Sequence, residues 1–517
     1  MRILRGSRTL LTATALSGAL YTHQRFNFNS ADNLADNDLR HLPPTQLFRG
    51  WLVYSLCSSP ALIDAAPELI HYASHIPGIW QITKLIVKRT FFAQFTGGES
   101  PEEYTRVIDS LRQHTQGVIL NYSAEASDIS PSQSYDAMLQ AADDSLKKNI
   151  EGVEACGAFE RRLRDINDKR AGQTYVAVKP SGLIPDPYVL ERATLALNEL
   201  HGWNNLKPAQ MPVDAVSDQD MQLVLGKTQT NSTTISQNDL KQLSGLYGRM
   251  RSICGCAYDN GVKILIDAEY AKFQPAIDVM FTLLAEEYNY DRKENISQTV
   301  QPVVYNTIQC SLRRSHDFVK ASLQRAHDKG YSLGFKIVRG AYVDHENSRW
   351  EKFNGEGPSP VWGSKEETSK CFDNVAAYLV EQLASSSGGS LGVLFASHNN
   401  SSAFKVLELL LHHRLATRKP DGKVDPAPRI RDQVAFGQLY GMADKLSSEL
   451  TQSLSDGPPM VFKYLPFAKL EYALPYLLRR ASENKGVLMG SGGDELPPAI
   501  LERMKLGYEL RRRFLLR

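Results

Sequence analysis

Four side chains near the carboxyl end, Tyr476, Arg479, Arg480 and Glu483, fall within an arc of about 100° if the chain there is an α-helix turning about 100° per residue. Such a face offers an aromatic ring, two guanidinium forks and a carboxylate. Two adjacent guanidinium groups can grip one small carboxylate bidentately and fix its orientation, which a lysine does less well. Alone the pattern says little. An Arg-Arg-x-x-Glu string is more often a solvated face whose Arg479–Glu483 pair contributes a few tenths of a kcal/mol, on the order typical of exposed helical pairs. Its weight comes from the other polar residues of the chain and the elements that would carry them.

Eight short apolar, β-branched runs stand at Val118–Leu120, Tyr175–Val178, Val262–Ile266, Val303–Ile308, Leu333–Val338, Val393–Phe395, Val434–Phe436 and Val461–Lys463, each followed by a stretch of helical character. Strands alternating with helices predict parallel pairing through right-handed crossovers, and eight is the number that closes a (βα)8 barrel. An open doubly wound sheet is the competing architecture. It usually carries a glycine-rich loop after its first strand, and no G-x-G-x-x-G follows any run. The prediction is an α/β fold, a distorted (βα)8 barrel with an N-terminal helical accessory region. In such a barrel chemistry gathers where strands end. There the runs give Asn121-Tyr122-Ser123, Lys179-Pro180-Ser181, Asp267-Ala268-Glu269, Gln309, Arg339-Gly340-Ala341-Tyr342, Ser397-His398-Asn399, Gln438-Leu439-Tyr440 and Tyr464. Any one of these is more often polar only because the chain is leaving the core, but eight such ends make an empty mouth improbable. Two chemistries fit. Lys179 with Asp267 or Glu269 suits a Schiff-base aldolase. A planar cofactor with a small acid clamped above it suits the arginine pair, and it also gives Gln309, Arg339 and His398 something to hold.

Composition narrows the classes. The chain has 517 residues, 42% apolar and 22% charged, with a net charge of only +2, so nothing in its global charge calls for nucleic acid. Six scattered cysteines do not look like a disulfide framework, and Cys254-Gly-Cys256 lacks a second pair to complete a zinc site; no metal is expected. Residues 1–31 contain no Asp or Glu but four arginines among Ser and Thr, the composition of a mitochondrial transit peptide. No apolar stretch is long enough to span a bilayer, so any membrane contact is expected to be peripheral. The expected organisation is a transit peptide over 1–31, helical accessory residues 32–116, a barrel over 117–490 with an insertion at 204–236, and a basic helical tail at 491–517.

With these motifs in hand the sequence closely resembles the proline dehydrogenase family, its eukaryotic mitochondrial branch. The elements that carry the likeness are Val178-Lys179-Pro180-Ser181, Asp267-Ala268-Glu269, Asn306-Thr307-Ile308-Gln309-Cys310, Lys336-Ile337-Val338-Arg339-Gly340-Ala341-Tyr342, Ser397-His398-Asn399, Gln438-Leu439-Tyr440-Gly441-Met442 and the final Tyr-x-Pro-Phe … Tyr-Leu-x-Arg-Arg-x-x-Glu-Asn. Singly these mean little; their joint order is specific. The resemblance implies FAD at the mouth, oxidation of L-proline to Δ1-pyrroline-5-carboxylate, ubiquinone as the membrane acceptor, and a place on the matrix side of the inner mitochondrial membrane. By position, Arg479 and Arg480 would hold the substrate carboxylate, Lys179 and Glu483 would complete the polar side, Tyr342, Leu439, Tyr464 and Tyr476 would pack on the ring, and Asp267 would support them from behind. Gln309, Lys336, Val338, Arg339, Ser397, His398, Asn399 and Glu483 would line the flavin, with Arg339 near N5. The basic tail Arg511–Arg517 is the segment that could touch an anionic membrane. Hydroxyproline is the rival substrate; Tyr464 crowding the ring argues for the unsubstituted one.

Overall fold

All eight runs are strands of one closed parallel barrel: β1 (Gln116–Tyr122), β2 (Tyr175–Val178), β3 (Lys263–Ile266), β4 (Val304–Gln309), β5 (Leu333–Val338), β6 (Leu391–Ala396), β7 (Val434–Leu439) and β8 (Val461–Phe467). Each pairs with its sequence neighbours, and β8 closes on β1 from Gln116↔Val461 to Tyr122↔Phe467. The computed structural model describes residues 43–123, 134–202, 216–227, 234–290, 301–352, 359–385, 391–489 and 498–515, with side chains at 60, 483–489, 498, 499, 501 and 515 left aside. Strands buried on both faces need no alternation of apolar and polar, which is why the runs are legible as continuous apolar stretches. A two-stranded antiparallel hairpin, Ala416–Arg418 with Val424–Pro426, lies outside the barrel.

Side chains alternate in and out along each strand. The inward set Ile119, Tyr175, Ala177, Leu265, Tyr305, Leu394, Ala435 and Phe462 forms a cluster that fills the barrel. Glycines make room for its rings. A Cβ on Gly117 would lie 2.3 Å from Phe462, and one on Gly334 would lie 2.4 Å from Tyr305. Within this floor Lys263, at the amino end of β3, donates to the Tyr305 hydroxyl at 3.1 Å and to the Asp432 carbonyl at 3.0 Å. Burial pushes its ammonium down to about 7. The unfolded chain therefore binds more protons than the folded one between about pH 7 and the ordinary lysine range, so this group makes stability rise with pH across that window. Lys263→Met should abolish that rise, measured as Tm against pH.

The helices around the barrel are stapled by a second buried charge. Arg112 (2% exposed) donates to Glu160 (1% exposed) at 2.7 Å, and Glu160 also accepts from Thr174 Oγ1 at 2.6 Å and Gly172 N at 3.0 Å. Burial alone would raise the Glu160 carboxyl, but the Arg112 charge and these hydrogen bonds hold it below its usual range. This joins helices Pro101–Gln113 and Tyr135–Asp165 to the residues leading into β2. Breaking a buried pair by removing one charge costs about 3–5 kcal/mol. Glu160→Gln should lower unfolding free energy by about that much in denaturant titration.

Part of the stretch 204–236, polar in composition, is ordered helix. Asp218–Val224 starts with a Ser217–Asp220 capping box, and Val216, Met221, Leu223, Val224 and Ile235 belong to the main core. Residues 1–42, which include the expected transit peptide, and 203–215 and 228–233 lie outside the described residues. All six cysteines are free thiols. No described helix is long and apolar enough to cross a membrane.

The chain forms two compact units, Ile63–Glu483 with the barrel, and Met1–Leu62 with Asn484–Arg517. In the latter, helices Pro44–Cys57 and Pro498–Leu515 pack through Leu47, Tyr54, Leu506 and Leu510. Glu509 there accepts from Arg512 at 2.7 Å and Arg513 at 2.8 Å, so two cations of the basic tail are already paired within it.

Candidate active site

The inward parity that fills the floor also directs Lys179, Asp267, Gln309, Lys336, Val338, Leu439 and Tyr464 toward the barrel axis at its carboxyl end, two or four residues beyond floor positions. Asp267 sits at the centre. It accepts from Lys336 Nζ in a short ion pair and from the Tyr464 hydroxyl at 2.6 Å, so β3, β5 and β8 meet on one carboxylate. Lys336 and Asp267 are 5% and 7% exposed, and the Lys336 ammonium lies 5.4 Å from the Tyr464 ring centre. Gln309 donates to the Glu269 carbonyl at 2.9 Å, and the Glu269 carboxylate accepts from Ser181 N at 2.9 Å. That carboxylate holds the turn Pro180–Leu183 that half-buried Lys179 opens. Val338, half-buried at the end of β5, is in register with Gln309 and Ala396.

A second cluster lies between β5, β6 and their helices. The Arg339 guanidinium donates to Ser397 Oγ in a short contact and to Ser402 Oγ at 2.8 Å, and lies 4.6 Å from the Phe372 ring centre. Ser397 Oγ also accepts from Asn399 N at 3.0 Å, while the Asn399 side chain caps helix Asn400–His412 by accepting from Ser402 N at 2.9 Å. Arg339, Ser397 and Asn399 are thus brought together, but the guanidinium is committed to serine hydroxyls and the Asn399 side chain to a helix cap.

His398 joins the two clusters. Its Nε2 accepts from the Leu439 backbone N–H at 3.0 Å, which fixes a neutral ring carrying its proton on Nδ1. Burial of the ring nitrogens and the charges of Lys463, Arg480 and Arg339 push its pKa down to about 3. The residue as a whole is exposed, so the Leu439 N–H on Nε2 adds to the desolvation of the ring nitrogens in holding the neutral form. Arg480, Lys463 and Arg339 are thus near enough for their charges to be felt at the imidazole, with Lys463 turned outward from β8.

Helix Leu470–Met489 carries the arginine pair. It begins five residues before Pro475, so the proline is internal rather than the first residue of the helix. Tyr476 and Arg480 are 3% and 6% exposed, with the Arg480 guanidinium 5.0 Å from the Tyr476 ring centre; Arg479 is half-buried. Neither arginine stands free in bulk water, as a solvated face would require. The Glu483 side chain lies outside the described residues. Tyr342 is at the rim, its ring 4.6 Å from that of Tyr270.

Several positioning residues are not among the expected site residues. Glu99 accepts from Leu470 N at 3.0 Å and from Lys88 Nζ at 2.5 Å, so it caps the arginine-bearing helix from a distant segment. The same segment bonds β8 through Gly97 N to the Pro466 carbonyl at 2.8 Å. Gly441 has φ +72°, and a Cβ there would lie 2.0 Å from the Gln94 carbonyl, so glycine is required twice over. Lys463, 2% exposed, bonds the Met442 carbonyl at 2.9 Å and Asp444 at 2.6 Å, bracing the loop after β7. An outward lysine within an apolar strand was the one signal in the sequence.

A family model described as proline dehydrogenase matches residues 104–489. Proline dehydrogenase 1, mitochondrial, of Arabidopsis thaliana is 30% identical over 436 residues, 83% of this chain and 75% of that protein. The protein of the same name from Dictyostelium discoideum is 28% identical over 473 residues, 90% of this chain and 72% of the relative. Hydroxyproline dehydrogenase of Rattus norvegicus is 26% identical over 481 residues, 93% and 94% of the two chains. Among solved structures, proline utilization A (PutA) from Bdellovibrio bacteriovorus, inactivated by N-propargylglycine, gives a TM-score of 0.55 at 17% identity, over 97% of this chain and 41% of that one. The chain therefore spans about two fifths of that longer protein, and the likeness is one of fold.

Proposed function

The chain belongs to the proline dehydrogenase family, and from that membership we propose that it oxidises L-proline to Δ1-pyrroline-5-carboxylate with FAD as cofactor and ubiquinone as acceptor, in the mitochondrion on the matrix side of the inner membrane. The observation that carries this reading is Arg480, buried beside Tyr476 and close enough to His398 for its charge to act there, while His398 bonds Leu439, which is in register with Tyr464, the residue that bonds Asp267.

The donor set fits a flavin. The Nδ1–H of neutral His398, the Lys336 ammonium and the Gln309 amide surround the mouth from β4 to β7, with Val338 and Leu439 as apolar neighbours, a mixture suited to an isoalloxazine's carbonyls and ring faces. Arg339, Ser397 and Asn399 stand at the start of helix Asn400–His412, where cation and backbone N–H groups favour anionic parts of a cofactor. When bound, FAD supplies the two-electron sink that the protein lacks.

This chain's residues would do the rest. Arg479 and Arg480 hold the substrate carboxylate, and Tyr476, Tyr464, Leu439 and Tyr342 fix the pyrrolidine ring, so C5 is presented in one orientation. The ring nitrogen must be neutral for its lone pair to stabilise the carbon that loses hydride. Lys179 and Lys336, with the arginines, disfavour a second cation in the pocket and so favour that neutral amine. Asp267 fixes the direction of the Tyr464 hydroxyl by accepting its hydrogen bond. The hydroxyproline reading has a specific point in its favour, a relative of that name matched along almost the whole chain. The hydrogen bond from the Tyr464 hydroxyl to Asp267 favours a ring held in place against the substrate, which supports proline.

The test is anaerobic. Purified protein should show a flavin band near about 450 nm that L-proline bleaches and hydroxyproline bleaches more slowly. Protein that takes up no flavin, or a band untouched by either imino acid, would overturn the reading.

A further inference from the structure

One helix of the barrel unit faces the wrong way for a protein in water. Pro77–Val87 has no buried residue. Its Ile79, Ile82, Leu85 and Ile86 are 49%, 61%, 49% and 56% exposed, and at about 100° per residue they share an arc of about 120°. The opposite side faces the protein, with half-buried Trp80 and Val87 and two ion pairs. Lys84 pairs with Glu471 at 3.3 Å, and Lys88, just past the helix, pairs with Glu99. Half-buried Trp80 lies on that side too, 5.6 Å from the Lys84 ammonium. The helix is thus held to the protein by Trp80, Val87 and ion pairs and turns its aliphatic face outward. Leu69, Tyr72 and Ile76, 54%, 69% and 50% exposed, extend the surface.

We propose that helix Pro77–Val87, with Leu69, Tyr72 and Ile76 before it, docks the protein on a lipid bilayer, lying flat with its aliphatic face among the outer acyl segments. Charge favours that occupant. From Leu69 to Gly98 there is no Asp or Glu, while His71, His75, Lys84, Lys88 and Arg89 all lie there, and Arg89 is exposed. With Lys84 and Lys88 paired to Glu471 and Glu99 on the protein side, exposed Arg89 and Tyr72 are the cation and aromatic ring left beside the aliphatic face, as in an interfacial anchor. Eleven residues are too few to cross a membrane, so the helix lies in the interface. The choice of a bilayer over a second copy of the chain also rests on the reading that the electron acceptor dissolves in the membrane. In the basic tail, which belongs to the other unit, Arg512 and Arg513 are paired with Glu509. With Lys84 and Lys88 also paired, apolar burial dominates, and attachment should weaken only modestly with salt.

The test is co-sedimentation of the full chain with phosphatidylcholine vesicles containing cardiolipin. The wild type should pellet with vesicles, and Ile82→Glu/Ile86→Glu should bind at least about tenfold more weakly, as expected when two apolar side chains are lost from a buried face. Its Tm and its activity with a soluble dye should be unchanged, because both side chains point away from the protein. Equal sedimentation of variant and wild type overturns the proposal, as does a wild type that stays in the supernatant. A shift from dimer to monomer in light scattering without vesicle binding also overturns it, in favour of a second copy. Sedimentation reads no proline chemistry: vesicle binding by a protein that L-proline cannot bleach would sink the enzymatic reading and leave the docking surface standing.

Discussion

Arg480→Met lowers kcat/KM for proline by about 100-fold or more, since loss of a buried charged hydrogen bond costs on the order of 2–5 kcal/mol and each 1.4 kcal/mol is about tenfold. Arg480 is 6% exposed and its guanidinium lies near the Tyr476 ring, so little water is present to replace it at the substrate. Methionine fills similar space without charge, so the fold should survive and Tm should not fall. That separates a clamp from a structural role. Arg480→Lys should recover part of the loss, because it restores the charge without the fork. The substitution also removes one of the three cations that depress His398, so the imidazole should titrate higher, readable by NMR. Near-normal kcat and KM in Arg480→Met would take the clamp out of the mechanism.

Helix periodicity alone predicts that Tyr476 and Arg480 share a side, and the Arg480 guanidinium does lie 5.0 Å from the Tyr476 ring centre. The barrel was legible because strands buried on both faces must be apolar throughout, and eight such runs separated by helix-length stretches leave few topologies. Less visible was everything that depends on partners far apart in sequence. Glu99 reaches Leu470 across 371 positions, and no local pattern links them. Arg339 is drawn to Ser397 and Ser402 and stacks on Phe372, a side-chain direction set by packing of the helices after β5 and β6. Helix Asp218–Val224 is short, and its Ser217–Asp220 capping box sits in a polar stretch that reads equally well as loop. The outward aliphatic face of Pro77–Val87 was hidden for a related reason. Periodicity reports that an apolar face exists, not which way it points.

Asp267→Ala should be costly twice over, and the two costs can be separated. The carboxylate is 7% exposed and holds both the Lys336 ammonium and the Tyr464 hydroxyl. Removing it leaves a buried cation without its counter-charge, which typically costs about 3–5 kcal/mol, so Tm and the denaturant midpoint should both drop. It also frees Tyr464, whose ring helps define the pocket, so kcat/KM should fall by at least about tenfold through lost orientation. Lys336→Met in the same chain removes the stranded charge. The double variant Asp267→Ala/Lys336→Met should therefore recover most of the stability, since a buried pair replaced by apolar groups of similar volume is often neutral. Activity should stay low, because nothing has restored the anchor of Tyr464. Tyr464→Phe should then show a comparable kinetic loss at nearly unchanged Tm. Asp267 would be a charge-neutralising residue only if the double variant regained both stability and kcat/KM, and wild-type behaviour of Asp267→Ala itself would show that the three-strand junction at the mouth positions nothing.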